Sequence, residues 1–348
     1  MPVISRLIPP KRLRWLPIGI RLAHEYSFFL HDEFTRMLVE YEVENAHNVT
    51  VQFTNKAEAR KFSKLAKTHD PITALRALER FSDARRVVLN TITMAMVSDC
   101  AHHIYEALRC FEKRKFVPAF NLLRKPLQDS LMYFAWMAAD ENGFYTAFSS
   151  GDPEKITQKI IGNRRKEIIA KALEKTELVG TIQADDVVSI VFDSHNGDGL
   201  YGLFQHAVHL VTVDRIEIKT TPENFNFIFK NPNDDDVYEG LYTGLPTVLL
   251  YMAHVVLALF ERIKPMDAGA KKAFVFRSIN GYRLLQSEEN AAILAYDLGR
   301  IMSPTVTCKF CKTALKVTRH NAARILLTDT YRCTQCKRIS PFPFSWLF

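Results

Sequence analysis

Apolar residues recur at every third or fourth position over two consecutive stretches, and this spacing constrains the fold more than any other feature. One stripe consists of Leu89, Ile92, Met96, Cys100, Ile104, Ala107 and Phe111; the second consists of Phe116, Ala119, Phe120, Leu123, Leu127, Leu131, Phe134 and Ala138. Such spacing is typical of amphipathic helices. The short charged break EKRK between them predicts an antiparallel hairpin, the usual seed of a helical bundle. Because Pro126 interrupts the second stripe, we expect a kink or a new helix there.

Residues 241–260 form the most apolar run of the chain. About 20 apolar residues are needed to cross a bilayer, and Gly244, Pro246 and His254 interrupt this run. We therefore predict a buried core helix that starts near Pro246, and no membrane span.

Further along, Ser287 and the two glutamates after it are typical of a helix start, and the predicted helix ends near Met302.

The fold class predicted from these patterns is mainly α, a helical bundle with minor β structure. A length of 348 residues with 47% hydrophobic content is ample for a buried core. The turn-rich DSHNGDG segment and the alternating stretches RIEIKT and NFNFIF predict an irregular or small β insertion near residues 193–232. We divide the chain into a basic N-terminal helical segment (1–80), a helical core domain (81–303) and a C-terminal cysteine module with an aromatic tail (304–348).

Four of the six cysteines form two CxxC pairs near the end of the chain. Cys308 and Cys311 make one pair, and Cys333 and Cys336 follow after 21 residues. Each CxxC turn can direct two sulfurs at one ion, and thiolates prefer zinc in tetrahedral geometry. The spacing predicts one Zn²⁺ held by all four cysteines, with a β-hairpin excursion between the pairs. An iron centre with the same ligands and a redox pair are the alternatives.

This module resembles the zinc-ribbon class, in which two cysteine turns hold one structural metal. The resemblance covers residues 304–348 and implies an interaction module, because zinc ribbons bind DNA, RNA or protein. A site closed by four sulfurs leaves no open position for substrate, so we expect the metal to hold structure and not to catalyse.

The positive charge of the chain is concentrated at its two ends. Residues 1–24 carry +5 and residues 304–348 carry +7, whereas the body between them is mildly acidic. We therefore expect a polyanionic partner to bind at the two ends of the chain. The candidate nucleic-acid contacts are Lys309, Lys312, Arg332, Lys337 and Arg338, with Phe310 and Tyr331 beside them to stack on bases. The alternative is that these cations offset the negative charge of a four-thiolate zinc centre.

The histidines are the residues that would indicate an enzyme active site. A catalytic or metal site could be built from His102, His103 and Glu106 on one helix together with His206 and His209. The alternative is a solvated, salt-bridging face around His102 and buried, hydrogen-bonded imidazoles elsewhere. The sequence contains no GxxxxGK[ST] phosphate loop, no GxGxxG after a predicted strand, no GxSxG nucleophile elbow and no HExxH zinc motif.

The central helices, with AHHIYEALRCFEKRKFVPAFNLLRKPLQDSLMYFAWMAAD at their heart, are similar to bacterial all-α proteins of the HEPN-like type. The resemblance covers about residues 80–260 and implies a place in toxin or phage-defence systems. Active members of that group are ribonucleases marked by an arginine and a histidine with four to six residues between them. None of the eleven histidines here lies five to seven positions after an arginine, so the ribonuclease motif is missing.

The remaining cysteines, Cys100 and Cys110, fall on one predicted helix about 15 Å apart along its axis, which is too far for a disulfide. Together with the lack of a cleavable leader pattern, this predicts a reducing cytoplasm.

We interpret the chain as a binding or regulatory protein that contacts nucleic acid or a protein partner, including a second copy of itself, through its basic ends. The alternatives are a histidine- or metal-dependent nuclease and a structural module of a larger complex.

Overall fold

The fold consists almost entirely of α-helices, as the apolar stripes predict. The computed structural model describes residues 8–211, 220, 235–304 and 306–342. The α-helices in these ranges are α1 (Pro10–Leu13), α2 (Arg21–Val43), α3 (Lys56–Thr68), α4 (Pro71–Ala77), α5 (Phe81–Phe111), α6 (Phe116–Arg124), α7 (Leu131–Ala139), α8 (Glu141–Phe148), α9 (Gln158–Gly162), α10 (Arg165–Leu173), α11 (Ala184–Phe192), α12 (Leu200–Val208), α13 (Asp236–Ile263), α14 (Ala268–Gln286), α15 (Glu288–Met302) and α16 (Arg319–Thr328).

Besides the α-helices, the described residues form two 3₁₀ turns, one π-helical turn and one small sheet. Single 3₁₀ turns span Ile18–Ile20 and Pro153–Ile156, and a π-helical turn spans Lys125–Ser130. Strands β1 (Thr330–Arg332) and β2 (Ile339–Pro341) pair antiparallel near the C-terminus. The predicted strands of the β insertion, RIEIKT and NFNFIF, lie outside the described residues apart from Thr220. Ahead of them, the stretch LYGLFQHAV forms helix α12.

Helix α13 lies at the centre of the body and packs against α2, α5, α7, α11 and α14. Every side chain from Leu245 to Leu257 is buried, so no face of this part of the helix contacts solvent. It is the one described helix long and apolar enough for a membrane span, and 89% of its most apolar 18-residue stretch is buried. The structure thus confirms a core helix without a clear membrane span. The helix begins at Asp236, well before the expected start, and contains Pro246.

The predicted hairpin is formed by α5 and α6, which pack side by side. All eight apolar residues of the second stripe, from Phe116 to Ala138, are buried. The stripe continues from α6 into α7 through the π-helical turn that contains Pro126. Proline has no N–H and its ring displaces the preceding turn, so the helix widens here instead of ending.

Two histidines are completely enclosed by the body. His254 of α13 faces the Ser278 hydroxyl, with 2.8 Å between Nε2 and Oγ, and burial lowers its pKa to about 3. His24 of α2 is also buried, and burial lowers its pKa in spite of the neighbouring Glu112. Below pH 6.5 the unfolded chain therefore binds protons at these positions that the folded chain excludes.

We predict that the free energy of unfolding falls as the pH is lowered from about 6.5 towards 4. Each excluded proton contributes a slope of up to about 1.4 kcal/mol per pH unit. His254→Leu removes one titrating group, while Ser278 keeps its bond to the Val275 carbonyl at 3.2 Å. Urea unfolding at several pH values should show a shallower slope for this variant. His102→Gln, at an exposed position, is the control; equal slopes for wild type and His254→Leu would contradict the prediction.

Candidate metal centre

The two CxxC pairs lie on turns at the two ends of the C-terminal module. Cys308 and Cys311 follow α15 and are flanked by a β-bridge between Thr307 and Ala314. Cys333 and Cys336 lie on the turn that joins β1 to β2. The linker between the pairs contains α16 and not the expected β-hairpin excursion. The likeness to a zinc ribbon is therefore limited to the two cysteine turns.

The linker is helical because its sequence starts and buries a helix well. The Thr318 hydroxyl accepts a hydrogen bond from the Asn321 N–H at 3.2 Å, which caps the first turn of α16. Every residue from Asn321 to Leu327 is buried. The Asn321 side chain also bonds both backbone groups of Arg332, at 3.0 Å each, so α16 is fixed to β1.

The two cysteine turns share one backbone geometry. In the first, the Cys308 N–H donates to the Thr313 carbonyl at 2.8 Å, and the Lys312 N–H donates to the Cys308 carbonyl at 2.9 Å. The second turn repeats both bonds at the equivalent positions, at 2.9 and 3.1 Å. The residue after each pair, Lys312 or Lys337, adopts a left-handed φ of 58° or 63°. Each CxxC pair therefore forms a turn of the same backbone geometry, and each turn positions two sulfur atoms.

The four sulfur atoms converge on one point. The Cys308 and Cys336 sulfurs are 3.7 Å apart, the Cys311 and Cys333 sulfurs are 3.6 Å apart, and all four lie within 4.8 Å of one another. Tetrahedral coordination with metal–sulfur bonds of about 2.3 Å places sulfurs about 3.8 Å apart. Disulfide sulfurs would be about 2 Å apart. The spacing thus matches a bound metal and excludes a disulfide in this arrangement.

The electrostatics around the sulfurs are uneven. Hydrogen bonds from the Thr313 hydroxyl and backbone lower the pKa of Cys311 to about 6. The backbone N–H of Cys311 likewise lowers the pKa of Cys308. A backbone hydrogen bond from Arg338 acts in the same direction on Cys336, but burial and the neighbouring sulfurs raise its pKa to about 11. A divalent cation would favour the ionised form of all four thiols.

The donor set fits a soft or borderline metal such as Zn²⁺. Thiolate sulfur is a ligand type that zinc prefers, and four such ligands satisfy its tetrahedral coordination. Cys308 and Cys333 are buried. Since four protein ligands leave no position for substrate, the arrangement can stabilise the module but cannot activate water.

The module is attached to the helical body through α16, which packs on α14, α15 and α2. Arg277 of α14 lies at the centre of this contact. Its guanidinium forms ion pairs with Asp329 at 2.8 Å and Glu33 at 3.4 Å, and donates to the Leu326 carbonyl at 2.6 Å. Close approach requires a glycine, because a Cβ at Gly281 would lie 2.8 Å from the Tyr26 ring. The cysteine module is thereby part of the same packed structure as the body.

The five cations predicted to contact nucleic acid are all exposed and surround the cysteine turns. Within the described parts of the chain, none of them forms an ion pair with an acidic side chain. These residues are Lys309, Lys312, Arg332, Lys337 and Arg338.

The two aromatic residues expected to stack on bases differ in position. Phe310 is 46% exposed, and the Arg338 guanidinium lies over its ring at 4.8 Å. Tyr331 is only 3% exposed, and its hydroxyl donates to the Thr307 carbonyl at 3.3 Å. Tyr331 therefore packs inside the module, and Phe310 remains as the exposed aromatic. The aromatic tail, residues 343–348, lies outside the described residues.

The proposed catalytic residues occupy two helices. His102 and Glu106 are exposed on α5, and the half-buried His103 has its Nδ1 2.8 Å from the Asp99 carbonyl oxygen. His206 is half-buried on α12, and His209 follows it at the surface. Across the described ranges, the four cysteines are the one group of three or more His, Cys, Asp or Glu residues whose ligand atoms converge. The histidines thus form no such metal cluster.

A buried polar cluster that the sequence reasoning missed joins the N-terminal segment to the body. The Arg12 guanidinium bonds Glu112 at 2.5 and 2.9 Å, and Arg109 adds a bond at 2.9 Å. His24 lies between Glu112, at 3.4 Å, and the Tyr242 hydroxyl. These residues come from α1, α2, α5 and α13 and have no shared local pattern. The Glu112 carboxylate therefore offsets only part of the positive charge of Arg12 and Arg109, whose side chains are partly exposed.

Comparison with protein-family models, curated proteins and solved structures gives no significant match. No family match therefore supports the HEPN-like resemblance of the central helices.

We predict one tightly bound metal ion per chain, which elemental analysis of the purified protein would detect. Because the ion binds only the folded module, removing it should destabilise the protein by about 4 kcal/mol if the metal is present at 1,000 times its dissociation constant. Cys308→Ser should lower both the metal content and the melting temperature. Cys110→Ser, outside the cluster, should change neither by much. A metal-free protein with unchanged melting would contradict this prediction.

Proposed function

We propose that this protein binds nucleic acid through a C-terminal module that one structural Zn²⁺ holds together. The bound strand is contacted through its phosphates by the lysines and arginines of the two cysteine turns. In this proposal the metal fixes the turns, and the turns fix the cations. The protein acts by binding, in a regulatory role, and the metal has no catalytic step.

The observation that carries the proposal is the group of exposed cations without acidic partners in the described structure. Elsewhere on the protein, some surface lysines face a carboxylate, as Lys171 does with Glu167 at 2.7 Å and Lys264 with Glu44 at 2.6 Å, whereas the exposed lysines of α3 form no ion pair among the described residues. The five cations of the cysteine turns have no such neighbour. Clustered lysines and arginines of this kind are the electrostatic feature that phosphate backbones recognise.

The charge balance of the module favours the same conclusion. Residues 304–348 carry +7, and zinc with four thiolates contributes a charge of −2. The module therefore remains at about +5 after the metal centre is formed. Offsetting the thiolates explains only part of the excess positive charge.

A cavity of about 300 Å³ lies between the start of α16 and the second cysteine turn. Arg324, Arg332, Lys337 and His320 line it. The positive end of the α16 helix dipole adds to the same potential. This is a suitable position for one phosphate of the bound strand.

The two basic ends are not equivalent in this proposal. Arg12 of the N-terminal segment is bound to Glu112, and the Arg21 side chain donates to the Leu16 carbonyl at 3.0 Å. The five C-terminal cations are exposed and have no acidic partner among the described residues, although Arg332 and Lys337 also donate to the Lys337 and Thr334 carbonyls. We therefore assign nucleic-acid contact to the C-terminal module, and we place the protein in the cytoplasm, where its six free cysteines would stay reduced.

To test this function, Lys309, Lys312, Arg332 and Lys337 are replaced together by glutamine. We expect roughly a tenfold or greater loss of affinity for generic duplex DNA and RNA at moderate salt. Each lost phosphate contact should lower the slope of log K against log salt by about 0.9 for B-DNA. Fluorescence anisotropy over a salt series measures both quantities. Substitution is preferable to truncation, because removing α16 would expose the surfaces of α14 and α2 that it covers.

The matched control removes the same number of charges from exposed lysines that have carboxylate partners. These are Lys155, Lys166, Lys171 and Lys264. If both variants lose the same affinity for nucleic acid, net charge alone explains the loss. That outcome would overturn the assignment of nucleic-acid contact to the C-terminal module. Absence of nucleic-acid binding by a zinc-loaded wild type would sink the proposed function itself.

A further inference from the structure

A cavity of about 710 Å³ lies in the helical body, beside the π-helical turn. It is bordered by α6, the π turn, α9, α10, α11 and α12. Its volume is in the range of small-molecule binding sites. Its lining is rich in polar and charged side chains, among them Arg124, Gln128, Asp129, Gln158 and Arg165.

The π turn shapes one wall of this cavity. The Leu131 N–H bonds the Pro126 carbonyl, five residues earlier, so the turn contains one more residue than an α-helical turn. Pro126, Leu127 and Ser130 remain buried in the core, while Gln128 and Asp129 are half-buried at the cavity. Single π-helical turns of this kind are frequent at functional sites.

Arg165 lies in the cavity wall without a counterion among the described residues. It is half-buried, its Nε is enclosed and has no hydrogen-bond partner, and its guanidinium lies over the Phe192 ring at 4.5 Å. Burial lowers its pKa. A desolvated charge without a partner destabilises a fold unless a ligand supplies the opposite charge.

Arg124 provides a second cation at the same cavity. Its Nε is 3.5 Å from the Gln128 side-chain oxygen, and it forms no ion pair with an acid that the structure describes. Lys125 differs, because Asp99 binds it at 2.7 Å. Guanidinium groups match the geometry and charge of a phosphate, and two of them suit a dianionic phosphate monoester.

Hydrogen-bond acceptors accompany the two arginines. The Gln158 Oε1 is buried and has no partner in the described structure, while its amide nitrogen donates to the Gln128 carbonyl at 3.3 Å. The Asp129 carboxyl group lines the same cavity. The Gln158 oxygen requires a donor, which a hydroxyl group of the ligand would provide, whereas the Asp129 carboxyl group already accepts a hydrogen bond from the Gln158 side chain.

We propose that this cavity binds a small hydroxylated phosphate monoester, either a sugar phosphate or a nucleoside monophosphate. The guanidinium groups of Arg124 and Arg165 bind the phosphate. Gln158 and Asp129 accept hydrogen bonds from the hydroxyl groups of the ligand. This site is separate from the phosphate contacts proposed for the C-terminal module.

The test is calorimetric titration of the full-length, zinc-loaded protein with ribose 5-phosphate, adenosine 5′-monophosphate, inorganic phosphate and citrate. We expect saturable binding of at least one ester, at least tenfold tighter than inorganic phosphate. Equal affinity for the two esters identifies the sugar phosphate as the recognised part, and a preference for the nucleotide identifies the base as a further contact. Arg165→Gln and Arg124→Gln should each weaken ester binding about tenfold or more.

The control is Arg164→Gln, because Arg164 is exposed, lies beside Arg165 in the chain and is not part of the cavity lining. It should bind the ester as wild type does. Without ligand, Arg165→Gln should melt no lower than wild type, since it removes an uncompensated charge. Absence of saturable ester binding, tighter binding of citrate, or unchanged affinity in both cavity variants would overturn the proposal.

Discussion

A helix that is apolar on every face is stable in water only when other helices cover it completely, and α13 imposes this requirement on the whole body. Its unbroken buried run from Leu245 to Leu257 needs partners on all sides, which α2, α5, α7, α11 and α14 supply. Burial of each large apolar side chain contributes about 1.5–3 kcal/mol. The same burial isolates His254 from solvent, so core packing and pH-dependent stability have a common origin.

The cysteine module depends on two separate supports. The paired turns fix its local geometry and bring the four sulfur atoms together, whereas α16 fixes its position on the body. Arg277 joins the two regions, because one guanidinium binds Glu33 of α2 and Asp329 at the end of α16. A cation buried between two carboxylates is stable only while all three groups remain in place. The position of the basic surface around the turns therefore depends on both the cysteine turns and the helical core.

The two proposed binding regions differ in how they are positioned. The cations of the cysteine turns lie at the surface, where flexible side chains can follow a long polyanion. Arg165 lies in a cavity wall, with its guanidinium fixed against Phe192, as a discrete ligand requires. The π turn at Pro126 determines how Gln128 and Asp129 face this cavity, since a regular α-helical turn would place them differently around the helix axis.

Signals within single helices and turns were enough to predict several of the helices and the cluster of four cysteines. Apolar spacing alone predicted the α5–α6 hairpin, Ser287 marked the start of α15, and the two CxxC pairs identified all four converging sulfurs, because these signals lie within one helix or one turn. Only the tertiary structure decided that α16 replaces the expected hairpin, that Tyr331 is internal, and that Arg12, His24 and Glu112 form one cluster. Those outcomes depend on contacts between residues far apart in the chain. Arg165 has no sequence motif either, since the lack of a counterion among its described neighbours becomes evident only in the folded chain.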